Sequence, residues 1–190
     1  MKKNNLRRII LIITGLILIV VALYFITSYN LKSNKAEKKS KEIYSQLINV
    51  IEQNKEEKQE NTLIDGDEYL GAIQIQALNL ELPVQNYWDY SKLEIAPCRY
   101  NGSLEDNDLI ICAHNYKGHF GKIGNLNHGD IIVIKNMSGE VFEFKVQEKE
   151  KINFKNIDQM NSGDWDLTLF TCDMSARARI AVRCVKVSEN

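Results

Sequence analysis

The hydrophobic pattern takes three distinct characters along this chain of 190 residues. From Ile9 to Ile26 it is apolar without a single charge. At about 1.5 Å per residue, a helix of roughly 18 residues spans most of a ~30 Å hydrocarbon core, so a membrane-spanning helix is predicted there. A cleaved leader would have a shorter apolar core and a small-x-small exit. The exit here, Thr27-Ser28-Tyr29-Asn30-Leu31, fits cleavage poorly. Next comes a charged stretch from Lys32 to Glu60, in which Ile43, Leu47, Ile48 and Ile51 recur at helical spacing. That stripe predicts an amphipathic helix or stalk packed on its own domain, followed by a polar linker over Glu52–Asp67. From Tyr69 the period shortens to two. Strands are predicted at Leu70–Leu78, Leu80–Val84, Leu109–Ala113, Ile131–Lys135, Val141–Gln147, Trp165–Thr171 and Arg179–Val187, with Ser138-Gly139 turning a hairpin. Many short strands with few helical patterns between them predict a mainly β domain, a barrel or a sandwich.

The organisation that follows is a short cytoplasmic tail over 1–8, a transmembrane anchor over 9–26, a helical stalk and linker over 27–68, and a β domain over 69–190. Lysines and arginines flank the span on both sides, so counting them does not orient it. Arg7 and Arg8 abut the apolar edge and favour a cytoplasmic N-terminus with an external β domain. A net charge of −1 gives no reason to expect a nucleic-acid partner. Four cysteines, at 98, 112, 172 and 184, contain no Cys-x-x-Cys. An external domain can form a disulfide, but spacing alone leaves every pairing of Cys98, Cys112 and Cys184 open. Cys112 and Cys184 fall in apolar strand runs and read as small buried hydrophobes.

Side-chain parity singles out Cys172. In Trp165–Cys172 one face carries Trp165, Leu167, Leu169 and Thr171, and the other Asp166, Thr168, Phe170 and Cys172. The first is the core face, so Cys172 points away from it. In the last strand Ile180, Val182 and Cys184 form the apolar face, with Arg177, Arg179, Ala181 and Arg183 opposite. The short turn between Cys172 and Arg179 makes the two strands hairpin partners and sets a thiol beside a guanidinium. His114 leaves the strand Leu109–Ala113 at its end. These residue types suit nucleophilic catalysis: a thiolate attacks, histidine moves a proton, and an arginine that is always charged stabilises an oxyanion.

The run Thr168-Leu169-Phe170-Thr171-Cys172 resembles the Thr-Leu-x-Thr-Cys signature of the sortases. The order His114, Cys172, Arg179 is similar to theirs, and the resemblance covers about Tyr69 to Val187. It implies a closed sortase-type β-barrel of about eight strands with short helices behind a transmembrane helix. It also implies transpeptidation: Cys172 attacks the Thr-Gly bond of a Leu-Pro-x-Thr-Gly-like sorting signal, and an amine of a cell-wall precursor or a pilin resolves the thioacyl enzyme. His114 would serve as general acid and then base, and Arg179 would hold the substrate backbone or the oxyanion. Asn115, Tyr116 and Thr171 are candidates to line the substrate groove.

Some residues depart from the family pattern. Ala113 precedes His114 where glycine is usual, and Arg177 and Arg183 share the parity of Arg179. The stretch Glu148–Asp164 is too short for the helical insertion of class B, and Tyr87-Trp88-Asp89 lacks the proline of a pilin-type lid. Similarity to classes A or D is therefore expected. No cofactor is implied. Calcium assistance would need an acidic cluster such as Glu105, Asp106 and Asp108. His114, His119 and His128 match no zinc spacing, and the last two read as exposed loop residues. The alternatives are a membrane-tethered cysteine peptidase or hydrolase and a non-catalytic surface binding domain. Papain-like and cell-wall cysteine peptidases place cysteine before histidine, the reverse of the order here.

Overall fold

The computed structural model describes residues 2–57, 63–161 and 163–187. Part of the expected linker, residues 58–62, lies outside the described residues. Helix α1 runs over Lys2–Glu57, and it divides between two compact units, Met1–Lys35 and Ala36–Asn190. In the first unit the large apolar side chains from Ile9 to Ile26 are exposed. The helix is long and apolar enough to cross a membrane, its most apolar window reaching a mean hydropathy of 3.2.

In the second unit the end of α1 packs on the β domain through the predicted stripe. Ile43, Leu47 and Ile51 are buried against Ile64, Tyr69, Ala72 and Met137. Two polar contacts flank this seam: Asn54 donates to the Met137 carbonyl (3.1 Å) and Gln74 to the Tyr44 hydroxyl (2.8 Å).

Eight strands close into one barrel: β1 (Tyr69–Ile75), β2 (Leu80–Gln85), β3 (Cys98–Asn101), β4 (Leu109–Cys112), β5 (Ile131–Asn136), β6 (Val141–Asn153), β7 (Leu167–Cys172) and β8 (Ala178–Lys186). Their order around the barrel is β1-β2-β3-β4-β7-β8-β6-β5, with β5 returning to β1. The period-two pattern explains the interior. Ile132, Ile134, Phe142, Phe144, Val146, Leu167, Leu169, Val182 and Cys184 all point into one buried cluster. Closure also explains Pro83, since β2 meets β3 at a single position, Gln85 opposite Cys98, and needs few donors on that side. Gly71 sits at a register shift with φ +151, where a side chain would run into the Lys135 carbonyl.

The structure extends and adds to the sequence expectations. β6 continues to Asn153 and pairs with β8 along that extension, and β3 was not predicted at all. The outer face of β3, β4, β7 and β8 carries a second buried cluster, comprising Cys98, Ile110, Cys112, Phe170 and Ala181 with Ile152 of β6 and Met160 of the β6–β7 connection.

Candidate active site

The site grows from the β7–β8 hairpin. These strands pair antiparallel with Cys172 directly opposite Arg179, Phe170 opposite Ala181 and Thr168 opposite Arg183. Directly opposed residues share a face, so thiol and guanidinium stand side by side on the outer surface. Cys172 is half-buried while Cys98, Cys112 and Cys184 are buried. Burial pushes the Cys184 thiol up to about 12. It does the same for Cys112, also to about 12, with the neighbouring Cys172 adding to the shift. Burial shields these sulfurs in the folded barrel, which leaves Cys172 as the accessible one.

The turn between the two strands is built by Asp173. Its carboxylate accepts from Ser175 N (3.1 Å), Ser175 Oγ (2.9 Å) and Ala178 N (3.3 Å), and pairs with Lys151 (3.0 Å). Its own N–H donates to the Ala178 carbonyl (2.9 Å), and Ala176 takes the left-handed conformation that tightens the turn. Lys151 first, then Ser175 and the Ala178 N–H, hold the Asp173 carboxyl down to about 2. A short hydrogen-bonded turn therefore fixes the register that sets Arg179 against Cys172. The Asp173-Met174-Ser175 sequence is the signal that sequence reasoning passed over.

His114 comes from the parallel neighbour. β4 pairs with β7 with Cys112 opposite Phe170, and the Ala113 N–H donates to the Phe170 carbonyl (3.2 Å). Running that register on by two residues, past the end of β4, would set His114 level with Cys172. Thr171, a candidate groove residue from sequence, is instead buried, its hydroxyl donating to the Ala113 carbonyl (2.8 Å). That bond ties the residue before His114 to the residue before Cys172. The segment after His114 folds back tightly: the Tyr116 carbonyl accepts from His119 N and Gly121 N (both 3.0 Å), and Phe120 N donates to the His114 carbonyl (3.2 Å). Gly121 is required here, because a Cβ would lie 2.5 Å from the Asn115 carbonyl oxygen. Asn115 remains half-buried in this bend.

Three mutually tilted rings run back from His114. His114 and Tyr116 lie 4.8 Å apart, and Tyr116 and His119 5.7 Å apart. His119, expected to be an exposed loop residue, is fully buried, and neither ring nitrogen has a hydrogen-bond partner among the described residues. The reason is packing: Gly118 lies so close to Glu37 of α1 that a Cβ would come within 2.6 Å of the Glu37 side chain, which draws the loop under the helix. Burial first, then His114, hold the His119 pKa down to about 4, against the opposing pull of the nearby Ile95 backbone and Glu37. His128 is exposed, as expected, with Nδ1 3.1 Å from the Gln147 carbonyl.

The two rival arginines separate cleanly. Arg177 lies exposed in the turn, outside β8. Arg183 is fully buried, and its guanidinium donates to Glu150 Oε1 (3.0 Å), the Met160 carbonyl (2.8 Å), Thr168 Oγ1 (2.9 Å) and the Gln159 carbonyl (2.7 Å). It secures the β6–β7 connection, and with it Met160, over the outer face. Arg179 is half-buried and, among the described residues, makes one long bond, from Nη1 to the Ala178 carbonyl (3.4 Å). An aromatic row leads away from the site: Phe170 meets Tyr100 edge-on (5.2 Å), and Tyr100 stacks on Trp88 (6.2 Å), which is 44% exposed. Of the acidic cluster, Asp106 and Asp108 turn their oxygens to Ser103 within their own loop.

The closed eight-stranded barrel thus carries an accessible thiol at the end of one strand and an arginine opposite it on the next. The family model described as the sortase domain matches residues 73–187, and the chain belongs to the sortase family, whose members are cysteine transpeptidases. No curated protein matches the sequence. Among solved structures, the chain is similar to a sortase D5 transpeptidase of Clostridium perfringens, with 17% identity, 80% of this chain and 99% of that one covered, and a TM-score of 0.64. It is similar also to a lid mutant of sortase A from Corynebacterium diphtheriae (16% identity, 80% and 97% covered, TM-score 0.58). Sortase C from Clostridium perfringens SM101 is comparable, at 21% identity, 86% and 99% covered, and a TM-score of 0.55. At such identities these likenesses speak for the fold.

Proposed function

We propose that this chain is a membrane-anchored sortase. It cleaves a Leu-Pro-x-Thr-Gly-like sorting signal on surface proteins and transfers the acyl fragment to an amine of a cell-wall precursor or a pilin. The observation that carries the assignment is the register that sets Cys172, the one cysteine of the four that is not buried, directly opposite Arg179. Cys172 attacks the threonine carbonyl. Arg179, whose guanidinium is nearly unengaged, donates to the oxyanion of the tetrahedral intermediate. His114 protonates the leaving glycine amine, which leaves a thioacyl enzyme. The acceptor amine then gives a proton to His114 as it attacks the thioester, and Cys172 is released. Asn115 borders this step from the bend after His114. Thr171 acts one layer back, by holding Ala113.

The apolar helix anchors the enzyme, with Arg7 and Arg8 on the cytoplasmic side and the barrel outside, where sorting substrates and cell-wall amines meet. The short β6–β7 connection supports a class A- or D-like enzyme over class B. The test is a product assay: full-length protein in detergent, a panel of Leu-Pro-x-Thr-Gly-like peptides, and a triglycine acceptor. A peptide–triglycine conjugate that disappears with Cys172→Ala supports the reading. Free cleaved acid without conjugate, at saturating acceptor, makes the chain a hydrolase instead.

A further inference from the structure

Cys98 and Cys112 face each other directly across the antiparallel β3–β4 pair. Both belong to the outer buried cluster, so their side chains lie on one side of the sheet. Opposed residues in such a pair have Cα atoms about 4.5–5.5 Å apart, inside the ~4.4–6.8 Å that a disulfide accepts. The other pairings fail on geometry. Cys172 lies two residues beyond the partner of Cys112 on the adjacent strand, roughly 6.6 Å along and ~4.8 Å across, about 8 Å in all and past the ~7 Å limit. Cys184 faces the barrel interior, opposite Leu167 and Val146.

The location gives the pair a purpose. β3 is the weakest stave of the barrel: it meets β2 at one position only, and its ladder with β4 is broken by a register shift between Arg99 and Asn101. We propose that Cys98 and Cys112 form a disulfide that staples this seam just ahead of His114 while leaving Cys172 free. Formation requires a disulfide oxidant, a small molecule or a protein. One cysteine thiolate attacks the oxidant and expels one thiolate, giving a mixed disulfide. The second cysteine then attacks the protein sulfur of that bond and expels the other thiolate. Both protein thiol protons pass to the departing thiolates, so two protein thiols are oxidised and one disulfide is reduced to two thiols. Burial raises both thiols well above their ordinary acidity range, so the exchange belongs to folding, before the seam closes. The proposal relies on the external location argued above only for a natural source of oxidant.

The test uses the full-length chain in detergent, reduced and unfolded, then refolded in an oxidised and reduced glutathione mixture and alkylated with iodoacetamide under denaturing conditions. The expected mass carries two alkyl groups, and a non-reducing digest yields a Cys98–Cys112 linked peptide. The link persists in Cys172→Ala and is absent from Cys112→Ala, with Cys98→Ala as the second variant should the first not fold. The bridged protein melts roughly 5–10 °C above its reduced form, as expected for closing a loop of about 15 residues. Four alkylated cysteines, or a bridge to Cys172 or Cys184, overturns the proposal. Transpeptidation is assayed on the reduced protein, so failure of the staple and failure of the catalytic reading show up separately.

Discussion

Two arginines on one face of β8, four residues apart, do opposite things. Arg183 is enclosed, and every bond it makes is to the barrel's own groups, on β6, β7 and the connection between them. Arg179 stands beside the accessible thiol with its fork nearly unengaged. Residue type and parity are the same in both. What differs is how completely the protein itself satisfies the donors. A saturated guanidinium holds structure, and one left open is available to charge that appears only during reaction.

Substituting the two arginines sharpens that contrast first. Arg179→Ala is expected to lower kcat/KM for a sorting peptide by about 10²–10³-fold with the melting temperature almost unchanged, measured by steady-state kinetics and thermal denaturation. Arg183→Met should do the reverse, costing about 3 kcal/mol of stability because Glu150, Thr168 and two carbonyls lose their donor together. Equal losses of stability in both variants would break the comparison.

His119 is an intermediate case, buried yet unsatisfied. Its folded pKa of about 4 lies below its ordinary value of 6.5, so folding disfavours the charged ring. The stability this implies is fully present above pH 6.5 and is lost as pH falls toward about 4, a change of about 3 kcal/mol. Chemical denaturation of the wild type should therefore weaken across that window, and His119→Leu should flatten the dependence. If the two proteins give parallel curves, the ring is not held neutral by burial.

Smaller effects probe the scaffold of the site. Thr171→Val leaves the buried Ala113 carbonyl without its side-chain donor and should cost about 1–2 kcal/mol. It should also lower kcat more than it raises KM, since His114 loses its tether rather than a substrate contact. Asp173 has a depressed carboxyl pKa, so its stabilisation of the turn is present above pH 3.8 and is lost as pH falls to about 2. The stabilities of wild type and Asp173→Asn should converge over that interval, and a gap that persists at pH 2 would contradict the assignment.

Much of this arrangement was legible in the sequence. Alternation gave the inward and outward faces of β7 and β8, and the short turn gave their pairing, because a half-buried hairpin writes its register into a period of two. β3 was not legible: four residues with a register break and one bridge to β2 carry no period to detect. Parity placed Arg183 on the outer face but could not say what covers that face, which the β6–β7 connection decides. His119 misled because a polar, glycine-rich loop reads as solvated, whereas Gly118 admits the α1 helix so closely that the ring is buried. Cysteine spacing left the pairings open, and the strand register shows only which two cysteines, Cys98 and Cys112, face each other.

The most direct test of the central claim, that Cys172 is the reacting group, is intact-mass analysis of the full-length chain mixed with a sorting-signal peptide in the absence of an acceptor amine. The account predicts an adduct equal to the peptide fragment ending in threonine, mapped to Cys172 and released by triglycine. An adduct on another residue, or a Cys172 inert both to the peptide panel and to iodoacetamide in the folded protein, would contradict it.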